Sequence, residues 1–112
     1  MPRRMGVRVG MPRFCARWQL NPLTTPASPE ERVKLWLSML EMVKADMQAG
    51  KTREWGNCSN GSGGYAIMEA ASETDLFTSL LKWTPYVSFD VKPVLTVDQT
   101  IESIKKAAAQ TK

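Results

Sequence analysis

One stretch of sequence decides the fold of this chain: KWTPYVSFDVKPVLTV, residues 82–97. Pro85 predicts the end of a short helix, because the residue before a proline is pushed out of the helical conformation. From Val87 to Leu95 every second residue is apolar, a period that predicts a strand with one buried face. Pro93 lies on that face and has no N–H to donate, so we expect this strand at the edge of a sheet or at a bulge.

The residues before and after this stretch predict the other elements. Ser28 followed by Pro29 predicts the start of a long helix, Ser72 begins the short helix, and Asp98 caps a final helix that runs to about Gln110. Three further strands are predicted from alternation and turn residues: residues 14–20, 52–59 and 65–70. The long helix has one apolar stripe: Val33, Trp36, Leu37, Leu40, Val43 and Met47.

These elements occur in the order strand, helix, strand, strand, helix, strand, which predicts a ferredoxin-like α+β sandwich. Its antiparallel sheet is expected to have the order 4-1-3-2, with both helices on one face. We expect a basic N-terminal extension over residues 1–12, the ferredoxin-like domain over 13–97, and an added C-terminal helix and tail over 98–112. The uncovered sheet face is expected to carry aromatic and aliphatic side chains, which predicts dimerisation through that face.

The composition excludes several classes of function. The chain has no histidine, which removes the commonest metal ligand and general base and excludes a histidine-ligated haem. We therefore expect neither a metal nor a cofactor. No apolar run is long enough to span a membrane, the N-terminus lacks the apolar core of a secretory signal, and the two cysteines have no CxxC spacing. These features predict a cytoplasmic protein with reduced thiols.

The net charge of +4 comes from the N-terminus. The first seventeen residues contain five arginines and no acidic residue, whereas the rest of the chain has ten basic and eleven acidic side chains. We interpret the basic segment as a solvated arm and place nucleic-acid binding last, because that function calls for a basic face on the folded domain. Met11-Pro12-Arg13 repeats Met1-Pro2-Arg3, which makes Met11 a second candidate for the start of translation.

The corner at Pro85 and the strand after it also carry a resemblance to a known family. Residues 65–70 (YAIMEA) and 83–95 (WTPYVSFDVKPVL) resemble the dimeric α+β barrel superfamily. Within it the chain is most similar to muconolactone-isomerase-like proteins, in which a Leu-x-Pro-Tyr corner leads into a strand, and to small relatives of unknown activity. The resemblance covers residues 13–97. It implies a homodimer or higher homo-oligomer, with a ligand site under the helices or inside the barrel formed by two sheets.

Six side chains are candidates for that site. Arg17 and Glu69 are expected on neighbouring antiparallel strands, where Arg17 would stabilise an anion and Glu69 would transfer a proton. A cross-strand ion pair is the alternative interpretation of these two residues. The ligand-binding candidates are Tyr65, Trp18, Trp83 and Tyr86. For each of these four, packing in the core or at an interface is the alternative.

The sequence leaves two functions open. The first is a small-molecule-binding protein or a metal-free enzyme, of the isomerase or cofactor-free oxygenase type, that acts on an apolar or aromatic carbonyl compound. It predicts an apolar pocket of about 300 Å³ or more. The alternative is a non-enzymatic assembly protein whose sheet faces build a homo-oligomer, which predicts interfaces beyond about 2,000 Å². The sequence does not decide whether the chain is an enzyme.

Overall fold

The computed structural model describes residues 11–110. Its four strands are β1 Arg13–Leu20, β2 Thr52–Asn57, β3 Gly64–Glu69 and β4 Val87–Val94. Its three α-helices are α1 Pro29–Gln48, α2 Glu73–Leu80 and α3 Val97–Gln110. Short 3₁₀ turns, Pro22–Thr24 and Leu81–Trp83, follow β1 and α2. The predicted N-terminal extension, apart from its last two residues, lies outside the described part of the chain.

The four strands form one antiparallel sheet in the order β2-β3-β1-β4. This order and the positions of the helices confirm the prediction of a ferredoxin-like α+β fold. β4 is an edge strand, and Pro93 lies opposite Phe14 of β1 within it. The edge position predicted from Pro93 is therefore confirmed, since an edge strand leaves some N–H positions without a partner strand.

Two of the predicted helix starts are confirmed by side-chain caps. The Ser28 hydroxyl accepts a hydrogen bond from the N–H of Glu31, and the Ser72 hydroxyl accepts one from the N–H of Asp75. Each of these bonds satisfies a backbone donor that has no partner inside the first turn of a helix. Gly50, just past the end of α1, has a φ of 79°, the conformation in which glycine commonly ends a helix.

The start of α3 corrects a prediction. The helix begins at Val97 and its N-cap is Thr96, not Asp98. The Thr96 hydroxyl accepts a hydrogen bond from the N–H of Gln99 at 3.1 Å, and the Gln99 side-chain oxygen accepts one from the N–H of Thr96 at 2.8 Å. This reciprocal capping box satisfies two backbone donors at once, whereas Asp98 lies inside the first turn.

The core lies between the sheet and the helices α1 and α2. It is built from alternate residues of the two central strands together with α2: Phe14, Ala16, Ala66, Met68 and Leu76. Because successive side chains of a strand point to opposite faces, these residues fix the helix-covered face of β1 and β3.

The apolar stripe of α1 does not face the sheet. Of its six residues only Val43 is buried, and the other five are 38–59% exposed. The side of α1 that is buried or half-buried lies about a third of a turn away and consists of Arg32, Leu35, Met39, Met42, Val43 and Asp46. α1 therefore presents an apolar flank to solvent. We call this flank the α1 stripe: Val33, Trp36, Leu37, Leu40 and Met47.

The sheet face opposite the helices is mainly polar, which corrects the prediction of an aromatic and aliphatic face. Its side chains are Arg13, Cys15, Arg17, Gln19, Glu54, Tyr65, Ile67, Glu69, Ser88, Asp90, Lys92 and Val94. The apolar residues of each strand take mainly the alternate positions under the helices, so few remain for this face. The prediction of dimerisation through this face rested on apolar side chains, and the face carries few of them. The oligomeric state stays a prediction.

Candidate functional site

A pocket of about 260 Å³ lies between α1 and the helix-covered face of the sheet. Its lining is mostly apolar, and its aromatic wall consists of Trp18, Trp36, Trp55, Trp83 and Phe89. Its polar side chains are Asp46, Thr52 and Asn57. Apolar walls with a few placed polar groups are typical of small-molecule sites, and the volume lies near the small end of their range of about 300–1,000 Å³.

Two stacked indoles form one side of this pocket. The ring centroids of Trp18 and Trp55 are 5.4 Å apart and their planes differ by 13°. They belong to β1 and β2, which lie about 10 Å apart because β3 runs between them. The β3 residues beside them are Gly64 and Ala66, and these small residues let the indoles meet across the strand. A Cβ atom at Gly64 would overlap the Trp18 ring and the carbonyl oxygen of Gly56.

The indole N–H of Trp18 is a buried donor on the pocket wall. Trp18 is 8% exposed, and among the described residues its Nε1 has no hydrogen-bond partner. A buried donor without a partner costs about 1–3 kcal/mol. The pocket wall therefore contains a donor that a hydrogen-bond acceptor could satisfy.

A buried carboxylate lies at the α2 side of the pocket. Asp46 of α1 is 7% exposed, and its Oδ1 atom accepts a hydrogen bond from Nζ of Lys82 at 2.8 Å. The Lys82 ammonium also lies 5.6 Å from the ring centroid of Trp83, within cation–π range. This ion pair joins α1 to the turn after α2 and holds Trp83 against the pocket.

The corner at Pro85 has two aromatic residues, Trp83 and Tyr86, and one of them contributes to the pocket. Trp83 is buried and lines the pocket, whereas Tyr86 is 38% exposed and lies outside the lining. The Tyr86 N–H donates to the Trp83 carbonyl, and the Tyr86 carbonyl accepts a hydrogen bond from the N–H of Asn21. The corner is thus tied to the end of β1, which fixes Trp83 in place. The peptide bond before Pro85 is cis.

Arg17 and Glu69 lie on the polar face of the sheet, on the opposite side from the pocket. Arg17 is exposed and lies opposite Tyr65 of β3, while Glu69 is buried and accepts a hydrogen bond from Arg13 at 3.0 Å. The predicted neighbouring strands are confirmed, but the two residues are four positions apart in register, roughly 13 Å along the strand. The structure therefore does not place them beside each other, and their catalytic roles stay a prediction.

Tyr65 also lies on the polar face and outside the pocket lining. Its hydroxyl donates a hydrogen bond to the Glu54 carboxylate at 2.6 Å, and this bond raises the pKa of Tyr65 above 10.0. The carboxylate raises the pKa because it stabilises the protonated phenol and repels the phenolate. The hydrogen bond therefore stabilises the fold at pH values below about 10, and this contribution is lost as the pH rises through the pKa of the folded state.

We expect Glu54→Gln to lower the pKa of Tyr65 toward its ordinary value, because the amide carries no charge. Ultraviolet titration of phenolate absorbance measures the change, and a Tyr65→Phe variant identifies which of the two tyrosines titrates. An unchanged titration curve in Glu54→Gln would show that the hydrogen bond does not form in solution.

Among the six candidates, the pocket brings together Trp18 and Trp83 and leaves out the other four. The pocket also uses residues that were not candidates, notably Trp55, Asp46 and Thr52. Asp46 shares a side of α1 with Met39 and Met42, but the apolar stripe in the sequence predicted a different side as the buried one. No pattern in the sequence around Thr52 predicts its place in the pocket lining, because that place depends on the pairing of β2 with β3.

A match over most of its length shows the family of this chain. Residues 12–108 match the family model described as "Domain of unknown function (DUF3303)". The chain belongs to the DUF3303 family. The match begins just before β1 and extends through most of α3. A comparison with curated proteins found no match.

Between residues 11 and 110, no three His, Cys, Asp or Glu side chains lie close enough together to hold a metal ion. Over the same residues, no helix has the length and apolar character needed to cross a membrane.

Proposed function

We propose that this DUF3303 protein binds a small, flat, apolar or aromatic carbonyl compound in the tryptophan-lined pocket. The observation that carries the proposal is the pocket of about 260 Å³ whose wall includes four tryptophan side chains. Indole rings bury flat apolar ligands well, because they offer a large rigid surface at a small cost in conformational entropy. The volume favours a ligand of one or two rings.

The polar groups of the pocket support a carbonyl group on this ligand. A carbonyl oxygen accepts hydrogen bonds, and the buried Trp18 N–H is a donor without a partner among the described residues. The Thr52 hydroxyl is a second potential donor on the lining. A carbonyl compound that reaches these donors would remove the cost of leaving the indole N–H unsatisfied, whereas a pure hydrocarbon would not.

We further propose that the protein is related to muconolactone-isomerase-like proteins and that it has an enzymatic activity. Proton transfer needs a carboxylate within reach of the ligand, and Asp46 is the carboxylate on the lining. Glu69 and Arg17 could act only in a chamber between two sheets, which requires the homodimer of the dimeric α+β barrel superfamily. The pocket itself supports binding, and proton transfer by Glu69 and Arg17 rests on the sequence resemblance.

The alternative role, a structural protein in a homo-oligomer, is favoured by a separate observation. Large apolar side chains are exposed on α1 and on α3, including Leu37 at 59% and Ile104 at 64%. Such surfaces commonly mark sites of protein association. Ligand binding and assembly do not exclude one another.

We expect 2-acetylnaphthalene to quench the tryptophan fluorescence with a Kd on the order of 10 µM. Val87→Trp should weaken this binding at least about tenfold, because the larger side chain fills space at the pocket wall. Val94→Trp is the matched control: the same substitution is made in the same strand, at a half-buried residue outside the lining.

Naphthalene, which lacks the carbonyl, separates the two parts of the proposal. If naphthalene binds as tightly as 2-acetylnaphthalene, the role of the polar groups is wrong and the pocket recognises only apolar surface. If neither compound binds, or if both valine variants weaken binding equally, the pocket is not the ligand site.

A further inference from the structure

Asp46 is the only charged side chain among the described residues that line the pocket. The other polar groups of the lining are the Thr52 hydroxyl, the Asn57 amide and the Trp18 indole N–H. A charge in apolar surroundings acts strongly on a neighbouring group, because little water screens it. Asp46 is therefore the side chain expected to decide which polar groups a bound ligand carries.

The protein uses one of the two carboxylate oxygens of Asp46. Oδ1 accepts the hydrogen bond from Nζ of Lys82 at 2.8 Å, whereas Oδ2 has no donor within the described part of the chain. The Asp46 side chain keeps 10% of its surface exposed. Because an ionised carboxylate only accepts hydrogen bonds, Oδ2 calls for a donor on the ligand.

Asp46 and Trp18 belong to opposite ends of the pocket. The Asp46 carbonyl accepts a hydrogen bond from the N–H of Lys51, the residue before Thr52 at the start of β2. Trp18 lies level with Asn57 at the end of β2, since both pair with the same residue of β3. The two ends of β2 are roughly 16 Å apart. A ligand that contacts both groups therefore has its polar atoms on opposite sides of its ring system.

We propose that the ligand of this pocket is an uncharged aromatic carbonyl compound with a hydroxyl group opposite the carbonyl, and that Asp46 selects it by accepting a hydrogen bond from that hydroxyl. This inference rests on the proposed binding function and narrows its ligand class. A hydrogen bond to an ionised acceptor is about twice as strong as one between neutral groups. An ether at the same position has no donor and leaves Oδ2 without a partner.

Lys82 decides which ligand charge the pocket tolerates. It lies outside the lining, and its ammonium already balances the Asp46 carboxylate. An uncharged ligand leaves this ion pair intact. A carboxylate ligand would bring a second negative charge near Asp46 in a site that little water reaches, and the two like charges repel. The pocket is therefore expected to exclude aromatic carboxylates.

Equilibrium dialysis with three related naphthalenes tests this selection. The pH is mildly acidic, so that a naphthol keeps its proton and a naphthoic acid has lost its own. We expect 6-acetyl-2-naphthol to bind at least about tenfold more tightly than its methyl ether, which lacks the donor. 6-Acetyl-2-naphthoate has a carboxylate in place of the hydroxyl and should bind at least about tenfold more weakly than the naphthol.

Asp46→Asn separates the effect of charge from that of size, because the amide matches the carboxylate in shape. In this variant the preference for the naphthol over the ether should fall to about threefold or less, since the remaining hydrogen bond joins neutral groups. The naphthoate should bind at least about tenfold more tightly than it binds the unchanged protein. Glu41→Gln removes an exposed carboxylate of the same helix outside the lining, and as the matched control it should change neither result.

The results distinguish this inference from the proposed function. If 2-acetylnaphthalene binds the unchanged protein but the naphthol, the ether and the naphthoate bind equally, the inference is wrong and the proposed function stands. A preference for the naphthol that persists in Asp46→Asn would show that the size of the methyl ether, not the carboxylate, explains the selection, and would also overturn the inference. If none of the four compounds binds, the proposed function fails and the inference fails with it.

Discussion

Replacing Gly64 with alanine is expected to lower the free energy of unfolding by about 2–3 kcal/mol. The added methyl group would overlap the backbone oxygen of Gly56 and the indole ring of Trp18. A backbone oxygen in a sheet cannot move away as a flexible side chain can. The indole must therefore leave its place against Trp55, or β2 and β3 must separate. Urea denaturation measures the loss of stability.

Gly61→Ala is the matched control for this substitution. Gly61 lies in the hairpin loop that leads into β3, and a Cβ atom there meets nothing within 4 Å. Its φ of 77° still costs an alanine about 1 kcal/mol. The far-ultraviolet circular dichroism couplet of stacked indoles provides a second measurement, which Gly64→Ala should weaken and Gly61→Ala should preserve. If the two variants lose the same stability, the contact between Trp18 and Gly64 does not constrain the fold.

Lys82→Met is expected to lower the free energy of unfolding by about 2 kcal/mol. Methionine keeps most of the apolar stem but removes the ammonium group, which leaves the Asp46 carboxylate buried without its partner. The Asp46 side chain is 10% exposed, so water replaces the lost contact poorly. The Lys82 side chain is 38% exposed, and for this reason we expect less than the full cost of breaking a buried pair.

A double-mutant cycle with Asp46→Asn tests whether the ion pair is the cause. The cost of Lys82→Met should fall by at least about 1 kcal/mol in the Asp46→Asn background, because the carboxylate is then absent. Lys34→Met, an exposed lysine of α1, is the control and should change stability by no more than about 0.5 kcal/mol. An equal cost of Lys82→Met in both backgrounds would show that packing, not charge, explains the effect.

Most of the fold could be predicted from local patterns. The alternation in β1 and β4 and the caps at Ser28 and Ser72 depend on residues close together in sequence. The edge position of β4 could be predicted from Pro93 alone, because proline has no N–H to donate. The cap of α3 was assigned to the wrong residue because Thr96 and Asp98 both favour capping, and only the reciprocal bonds with Gln99 distinguish them.

The candidate site was predicted less well, because a pocket is made by residues that meet across strands and helices. Trp18 and Trp83 were identified as aromatic candidates, and the structure places both in the pocket. Arg17 and Glu69 were paired on the ground that their strands are neighbours. Neighbouring strands do not fix which residues face each other, and the register places Arg13, not Arg17, beside Glu69. The sequence contains the alternation of a strand but not its register.

The sequence by itself determined the order of the elements, the faces of the strands and the antiparallel sheet, since hydrophobic period and turn residues act over short distances. Only the tertiary structure decided three features: the stacking of Trp18 on Trp55 across Gly64, the rotation of α1 that leaves its apolar stripe exposed, and the ion pair between Asp46 and Lys82. Each depends on how two elements far apart in sequence are packed. The period of a helix shows which residues share a side, but contact with the sheet decides which side is buried.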